Sequence, residues 1–286
     1  MASITSDQMK RYESEGLTVI PDFLTEDEVV ELRDACHSLV EDMDPKEHSG
    51  VFSTLDNSQA KDDYFTNSND KIRFFFEKSS FDGKENLVKD KHECLNKIGH
   101  ALHALHPKFK KHTFSERVQN VAKAFGYEEP IIPQGMYIFK QPRVGTEVIP
   151  HQDSTYLRNN PLKLIGFWIP LHDATLENGC LWYVPGSHKD PVTYSYVRNI
   201  VGGVLSTPRF IYKGDKYPEY SNWVPAPVKR GSLVLIHGQV MHKSEHNHSQ
   251  HPRHAYTFHV VESKGCTYSP LNWLQPTETY AFPRLY

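Results

Sequence analysis

Apolar residues in the first half of the chain recur at the three- and four-residue spacing of amphipathic helices. Thr25 and Glu28 have the spacing of a capping box, and Pro45 ends the apolar repeat that follows them. A second helix is predicted over about residues 93–105, and a third over residues 115–126, between a serine cap and a glycine stop. The first half therefore combines helices with polar, irregular connections.

From about residue 131 the pattern changes to short apolar runs and to the alternation expected of strands. Gly and Pro separate these runs, which favours a β-sandwich or a jelly roll. No linker or internal repeat divides the chain, so we expect one domain over residues 1–286. Its expected parts are a mostly helical and irregular flank (about 1–130), a β core (about 131–262) and a C-terminal extension. Strands are predicted at residues 136–140, 164–169, 180–184, 231–237 and 253–259.

Residues 187–229 show neither a helical nor a strand period. A loop of that length in a compact domain is usually functional or disordered, and its tyrosines argue against disorder. Two interpretations stay open, a wall or lid over a substrate pocket and a plain structural insertion. The tyrosines are Tyr194, Tyr196, Tyr212, Tyr217 and Tyr220.

Composition and charge exclude several classes of function. The 286-residue chain has a formal net charge of -3, so it lacks the basic character of a nucleic-acid-binding protein. No apolar run reaches the ~18 residues of a membrane helix, and the N-terminus has no signal-peptide core. The four cysteines are widely spaced, and the chain ends in Arg284–Tyr286 rather than in a peroxisomal signal. We expect a cytoplasmic protein, with the nucleus as an alternative, and favour a monomer without membrane or nucleic-acid partners.

The most informative candidate chemistry is the pair His151 and Asp153. Side chains two positions apart on a strand point to the same face, so an imidazole and a carboxylate are delivered together. A second cluster follows the apolar run 231–237 and contains His242. Two histidines and one carboxylate form the facial triad of non-haem Fe(II) oxygenases, which leaves metal positions open.

Arg253 begins the next predicted strand, and Ala255, Thr257 and His259 share its face. A guanidinium on an inward face suits a carboxylate, because it binds both oxygens and stays charged. Alone, Arg253 would be interpreted as half of a surface ion pair. Beside a candidate iron triad, the carboxylate of 2-oxoglutarate is the better interpretation.

Together these residues resemble the phytanoyl-CoA dioxygenase family of Fe(II)- and 2-oxoglutarate-dependent oxygenases. The family pattern is His-x-Asp, then a distal His that opens His-x-Ser-x-x-Asn, then an Arg about eleven residues later. Here the pattern is carried by His151, Asp153, the segment 242–247 and Arg253. Further blocks that match the family are residues 70–78, 96–103, 136–142, 177–182 and 272–277.

The resemblance implies a double-stranded β-helix with helices packed outside. It implies iron bound by His151, Asp153 and His242, with 2-oxoglutarate and O₂ as cosubstrates and ascorbate in support. The implied reaction decarboxylates 2-oxoglutarate to succinate and CO₂ and hydroxylates a C–H bond of a small molecule. The resemblance also implies that four further residues line the 2-oxoglutarate pocket, with Lys97 reaching in from a helix. They are Lys97, Met136, Trp168 and Ser244.

His237 competes with His242 for the role of distal ligand, because it ends a strand and precedes a glycine. His242 is preferred, since it alone has Ser at +2, Asn at +5 and Arg at +11. On a helix, His100, His103 and His106 cannot all share one face, so they are predicted to face solvent or form hydrogen bonds rather than to bind metal. Surface positions are predicted for His246, His248, His251 and His254.

Two other classes of function remain as alternatives. A cupin-type protein would use its metal without 2-oxoglutarate and should lack a carboxylate-binding arginine, so Arg253 argues against it. A non-catalytic binding module of the same fold would usually carry a broken triad, whereas this triad is complete. No residue pattern in the chain is specific for coenzyme A, and the fold alone does not determine the substrate.

Overall fold

The computed structural model of the chain describes residues 4–48, 50–54, 58–82, 86–198, 200–201, 204–212 and 219–286. Seven α-helices lie within these ranges: α1 (Ser6–Glu15), α2 (Glu26–Asp42), α3 (Asp63–Thr66), α4 (Lys91–Cys94), α5 (Leu102–Leu105), α6 (Pro107–Thr113) and α7 (Glu116–Ala124). Among the described residues, no helix combines the length and the apolar character needed to cross a membrane.

The described strands belong to two main sheets and three two-stranded antiparallel sheets. In chain order they are β1 (Leu17–Ile20), β2 (Val51–Phe52), β3 (Ile72–Glu77), β4 (Leu95–His100), β5 (Pro130–Ile131), β6 (Gly135–Ile138), β7 (Val148–His151), β8 (Asn159–Asn160), β9 (Leu164–Pro170), β10 (Leu181–Tyr183), β11 (Tyr194–Val197), β12 (Ile200–Val201), β13 (Val204–Leu205), β14 (Arg209–Tyr212), β15 (Val224–Ala226), β16 (Leu233–His237), β17 (His242–Ser244), β18 (Ala255–Glu262) and β19 (Thr267–Tyr268).

The large sheet has the strand order β1-β16-β9-β18-β6-β4-β3-β2, with β5 also paired to β18. The small sheet has the order β15-β10-β17-β7. Apolar residues of both sheets, among them Trp168 and Ile236 from the large sheet and Leu181 from the small one, form one buried cluster. The two sheets therefore pack against each other as a double-stranded β-helix, the jelly-roll fold expected from the sequence.

Alternate residues of the large sheet face opposite layers, as the strand geometry requires. Val234 packs toward the small sheet, whereas Leu233 and Leu235 join a cluster with Leu32 of α2 and Val121 of α7. The helices thus cover the outer face of the large sheet and leave its inner face for the space between the sheets. That inner face is where the candidate site lies.

Two predicted helices are confirmed with their boundaries. The Thr25 side chain accepts a hydrogen bond from the Glu28 N–H, and the Glu28 side chain accepts one from the Thr25 N–H, so the capping box is complete. Helix α7 follows the cap residue Ser115 and ends shortly before Gly126, whose φ of 68° suits glycine.

The prediction of one helix over residues 93–105 is wrong. That segment forms α4, strand β4 and α5, and β4 lies between β3 and β6 in the large sheet. Ile98 pairs with Phe74 and Tyr137, and all three are buried. Pairing with distant strands outweighs a weak local preference for helix. The flank before residue 131 accordingly contributes strands to the large sheet as well as helices.

Candidate metal and cosubstrate site

Strands β7 and β17 of the small sheet bring two histidines side by side. His151 ends β7, His242 begins β17, and the two residues are direct partners across the antiparallel pair. Their ring centroids lie 4.2 Å apart. Asp153 follows β7 in a short 3₁₀ turn and turns its carboxylate toward both rings. The fold therefore brings His242 next to the pair His151 and Asp153, from which it is distant in the sequence.

The distances suit a metal ion held by three side chains. Oδ1 of Asp153 lies 3.7 Å from Nε2 of His151 and 3.7 Å from Nε2 of His242. The Nδ1 atom of each ring faces a backbone carbonyl, Ile149 O at 2.8 Å and Val240 O at 3.0 Å. Each Nδ1–H donates to its carbonyl, which leaves both Nε2 lone pairs directed at the space beside Asp153.

The electrostatics of the site keep His151 and Asp153 in their metal-binding forms. Burial, together with the neighbouring His242, lowers the pKa of His151 to about 4, so the ring is neutral at physiological pH. Burial alone would raise the pKa of Asp153, but His259 and His242 hold it well below its usual range. A neutral imidazole and an ionised carboxylate are the forms that bind metal ions.

His259 was not singled out as a site residue from the sequence, although it lies on the Arg253 face of its strand. Its Nε2 lies 3.2 Å from Oδ2 of Asp153, and its Nδ1 lies 3.1 Å from the side-chain amide of Gln134. Because the amide N–H donates to Nδ1, the proton of His259 is on Nε2 and is donated to Oδ2. His259 therefore holds one carboxylate oxygen and leaves Oδ1 for the metal.

We predict that His259→Phe lowers the affinity for Co²⁺ about 10- to 100-fold, the usual effect of removing a partner of a metal ligand. His259→Gln should recover most of the affinity, because its amide N–H reaches a similar position. Titration with Co²⁺, followed by visible absorption, measures both variants, with circular dichroism as the control for folding. Equal affinity in wild type and His259→Phe would contradict this role.

Gly166 supplies the space that Asp153 occupies. A Cβ atom at Gly166 would lie 3.0 Å from Oδ2 of Asp153 and 3.4 Å from Cβ of Ile236. Gly166 pairs with His259 in the neighbouring strand β18. The Asp153 carboxylate therefore packs against the backbone of β9 at Gly166, and the imidazole of His259 in β18 contacts it.

Arg253 lies two residues before β18, with its side chain buried in the protein and 2 % of the residue exposed. Its Nε donates to Gly179 O at 3.2 Å, and its guanidinium carbon lies 5.3 Å from the ring centroid of Trp168. Nη1 is buried without a hydrogen-bond partner among the described residues. Burial lowers the pKa of Arg253 to about 10, which still leaves it charged at neutral pH.

A buried guanidinium without an acidic partner is costly unless an anion completes it. In the described part of the chain, no carboxylate forms a salt bridge with Arg253. The donor set is therefore suited to the carboxylate of a bound ligand. A dicarboxylate that also reaches the metal ligands is the simplest such ligand.

Strand pairing connects Arg253 with the metal-binding end of the inner face. Arg253 donates its backbone N–H to Lys140 O, and two residues later Ala255 pairs with Ile138. The next row of paired residues on the inner face of the sheet consists of Met136, Thr257 and Trp168. The row after that contains His259 and Gly166, where Asp153 is seated. Met136 and Trp168 thus lie between the metal ligands and the guanidinium.

Lys97 lies in the same inner layer, on strand β4. The expectation that it reaches the site from an outer helix is therefore wrong. It pairs with Ile138 on the neighbouring strand β6. Its ammonium lies 3.2 Å from the ring centroid of Phe52 and faces the cavity. Burial lowers the pKa of Lys97 to about 7, and Glu77 opposes that shift. Ser244 is buried on β17, opposite Leu181.

A cavity of about 180 Å³ opens beside His151 and Asp153. Two strands from the long tyrosine-rich stretch, β11 and β14, form a hairpin that contributes Tyr196 and Phe210 to the wall. This favours the wall interpretation of that stretch over the plain insertion. Gly202, Gly203 and Tyr217 lie outside the described residues. Among the described residues, the Phe, Tyr and Trp side chains that line the cavity are Phe52, Phe65, Tyr156, Tyr196, Phe210 and Trp273.

The competing histidines do not belong to the group of three candidate metal ligands, although His100 lines the same cavity. His237 packs its ring near Tyr12 and His188, and its Nδ1 accepts a hydrogen bond from the Gln239 N–H. His100 and His103 are buried; His100 contacts the Ser68 hydroxyl and His103 contacts Ile132 O. They are thus hydrogen-bonded, one of the two outcomes predicted for them.

His246, His248 and His251 are exposed, as predicted, whereas His254 is half-buried rather than fully at the surface. The Tyr137 hydroxyl contacts Nδ1 of His254 at 2.9 Å, and the His254 ring packs against His172. These contacts come from residues distant in the chain, so local sequence does not reveal them.

Comparison with known proteins yields a family and a fold. The family model for phytanoyl-CoA dioxygenase (PhyH) matches residues 12–255. Phytanoyl-CoA dioxygenase domain-containing protein 1 from Mus musculus is 46 % identical over 293 residues, and that from Danio rerio is 47 % identical over 292 residues. Each alignment covers 100 % of both proteins.

Two solved structures share the fold at low sequence identity. The non-heme alpha ketoglutarate dependent carbocyclase SnoK from nogalamycin biosynthesis has a TM-score of 0.67 at 20 % identity, covering 98 % of this chain and 96 % of that one. EctD from S. alaskensis, solved with 2-oxoglutarate and 5-hydroxyectoine, has a TM-score of 0.61 at 19 % identity, covering 91 % of this chain and 77 % of that one.

Proposed function

The chain belongs to the phytanoyl-CoA dioxygenase family, and from this premise we propose that it is an Fe(II)- and 2-oxoglutarate-dependent dioxygenase. It decarboxylates 2-oxoglutarate to succinate and CO₂ and hydroxylates a C–H bond of a small-molecule substrate. One observation carries the proposal: two imidazoles and a carboxylate converge on one point, and a buried guanidinium with no acidic partner among the described residues lies on the same inner face.

In this proposal, His151, Asp153 and His242 hold the iron through Nε2, Oδ1 and Nε2. When bound, the iron supplies the redox chemistry that couples O₂ and 2-oxoglutarate to C–H oxidation, and ascorbate keeps it reduced. Arg253 binds the far carboxylate of 2-oxoglutarate with its forked donors. Because the guanidinium is already buried and oriented by Gly179 O, little ordering is needed when the cosubstrate binds.

The remaining cosubstrate contacts follow the strand rows. Met136 and Trp168 lie between Asp153 and Arg253, and Ser244 is buried on β17 of the small sheet, two residues after His242. Lys97 contributes a second positive charge on the same layer. The aromatic cavity beside His151 then receives the substrate, shielded from water by the β11–β14 hairpin.

A cupin-type metal protein acting without 2-oxoglutarate is the second candidate. It accounts for the three metal ligands but provides no partner for Arg253. A non-catalytic module of this fold would usually carry a broken triad, whereas all three candidate ligands are present here. The Arg253 guanidinium, which has no acidic partner among the described residues, therefore favours the oxygenase over both alternatives.

Incubation with Fe(II), ascorbate and 2-oxoglutarate is expected to produce succinate slowly, and faster when the true substrate is added. Succinate and CO₂ should form in equal amounts, as measured with labelled 2-oxoglutarate. A screen of small molecules for accelerated succinate formation, with hydroxylated product detected in parallel, identifies the substrate. Succinate no higher than in a metal-free control would refute the enzyme proposal.

Lys97 predicts a pH dependence of cosubstrate binding. Only the protonated ammonium pairs with a carboxylate, and its pKa of about 7 in the free protein means that this form is lost as the pH rises. The dissociation constant of 2-oxoglutarate should therefore increase above pH 7, by at most about tenfold per pH unit. In Lys97→Met the affinity should be lower near pH 6 and much less dependent on pH between 6 and 8.5. Calorimetric titration checks this, and an unchanged pH profile in the variant would exclude Lys97 from the contact.

A further inference from the structure

We propose that a second metal site, separate from the candidate iron site, lies on the protein surface where α2 meets α4. Its ligands are His37, Glu41 and His92, and it takes a divalent transition-metal ion such as Zn²⁺ or Co²⁺. We call these three residues the surface histidine site. They are one of two groups in the described part of the chain whose ligand atoms all lie within 4.8 Å of one another.

The geometry brings three donor atoms from two elements to one place. His37 and Glu41 are four residues apart on α2, so they lie on the same face of the helix. His92 belongs to α4, and its Nε2 lies 2.8 Å from Oε1 of Glu41. Nε2 of His37 lies 3.9 Å from the same oxygen, and the two imidazole rings stack with centroids 4.5 Å apart.

The observed separations are close to those of a bound ion. Zn²⁺ binds His nitrogen and carboxylate oxygen at about 2.0–2.2 Å in a tetrahedron, which sets ligand atoms about 3.3–3.5 Å apart. The distances of 2.8 and 3.9 Å from Glu41 Oε1 lie on either side of that value. The side chains of His37, Glu41 and His92 are 64 %, 55 % and 26 % exposed, so small rotations can close the site.

The donor set selects the class of ion. Two imidazoles and one carboxylate suit Zn²⁺, Co²⁺, Ni²⁺ or Cu²⁺, whereas Ca²⁺ and Mg²⁺ prefer oxygen ligands alone. Three protein ligands leave a position for water, so the affinity should be lower than in a closed four-ligand structural site. Glu41 has no Lys or Arg side chain paired with it among the described residues, and its carboxylate faces only the two rings.

The two elements are held together without a metal. The Lys91 ammonium donates to Glu41 O at 2.7 Å and Met43 O at 3.0 Å, the last carbonyls of α2 and the residue after it. The Asp90 side chain accepts from the His92 N–H at 2.9 Å and caps α4. His92 is therefore placed beside Glu41 by contacts that do not involve its ring, which lowers the ordering cost of binding an ion.

The position of the site links it to the interior of the fold. Helix α4 leads directly into β4, the strand that carries Lys97 in the inner layer. An ion that joins α2 to α4 should stabilise the start of this strand. A metal ion in the surface histidine site would thus connect helix α2 to the segment that leads into the large sheet.

The test uses a background variant, His151→Ala/His242→Ala, in which the candidate iron site has lost two ligands. Titrated with Co²⁺ alone, this variant should bind one ion, with the visible absorption of nitrogen-ligated Co²⁺. Adding His37→Ala or His92→Ala to the background should weaken binding at least tenfold. His251→Ala, which removes an exposed histidine elsewhere, should leave binding unchanged. In thermal unfolding, Zn²⁺ should raise the Tm of the background but not of the His37→Ala triple variant.

His37 is exposed and His92 is half-buried, so both should tolerate substitution by Ala without loss of folding, and far-UV circular dichroism verifies this. If the background binds no Co²⁺ at millimolar concentration, the proposal fails. It also fails if binding survives in both the His37→Ala and the His92→Ala triple variants. Either failure leaves the proposed dioxygenase function unaffected, because the assay does not depend on turnover.

Discussion

Asp153→Ala is expected to abolish iron binding and turnover while the protein stays folded. The carboxylate is the only negative charge facing the Nε2 atoms of His151 and His242 among the described residues, and both contacts involve its Oδ1. Its loss should weaken Fe(II) binding by more than the ~10- to 100-fold typical of an outer partner such as His259. The measurements are Fe(II) or Co²⁺ titration and succinate formation, with the metal of the surface histidine site counted separately.

His237→Ala is the matched control for this prediction. His237 is the competing distal histidine in the sequence, but its ring packs near Tyr12 and His188 rather than near Asp153. The control variant should keep its metal at the candidate iron site, and His242→Ala should lose it. The opposite result, with metal lost in His237→Ala and kept in His242→Ala, would refute the ligand assignment.

Arg253→Ala is expected to weaken 2-oxoglutarate binding by about 2–5 kcal/mol, the cost of removing one partner of a buried, charge-assisted pair. That corresponds to a roughly thirtyfold to several-thousandfold increase in the dissociation constant. Fe(II) content should stay near that of the wild type, because Arg253 contacts none of the three metal ligands in the structure. Titration of 2-oxoglutarate at saturating Fe(II), by calorimetry and by succinate formation, measures the effect.

Arg253→Lys serves as the conservative partner of that variant. A lysine keeps the charge but not the two-pronged contact, so it should recover only part of the affinity. Lysine also lacks the Nε donor that Gly179 O accepts in the wild type, which removes the anchor of the side chain. Unchanged affinity in Arg253→Ala would mean that another basic residue, Lys97 first, binds the far carboxylate.

Features set by neighbouring residues could be predicted from the sequence. The capping box of Thr25 and Glu28 involves atoms three residues apart, so its two hydrogen bonds follow from local geometry. Strand alternation likewise predicts that Arg253 and Ala255 share one face, whatever the partner strands are. The resemblance to a known family added the fold and the expected reaction, which neither periodicity nor spacing contains.

The errors arose where distant strands decide local structure. Residues 95–100 have apolar positions compatible with a helix, but β3 and β6 on either side provide the hydrogen bonds of a central strand. This error also misplaced Lys97, which belongs to the inner layer itself. The same limitation explains the half-buried position of His254, since its contacts with Tyr137 and His172 involve residues far away in the chain.

By itself, the sequence determined the parts of this protein that depend on short separations: the His-x-Asp pair, the face of Arg253, the caps of the helices and the change from helices to strands. The tertiary structure alone decided that His151 lies opposite His242, that His259 holds the free oxygen of Asp153, and that His37, Glu41 and His92 meet on the surface. The physical reason is that these contacts come from strand pairing and helix docking between segments far apart in the chain. Their free energy depends on burial and register across the whole sheet, which no local pattern records.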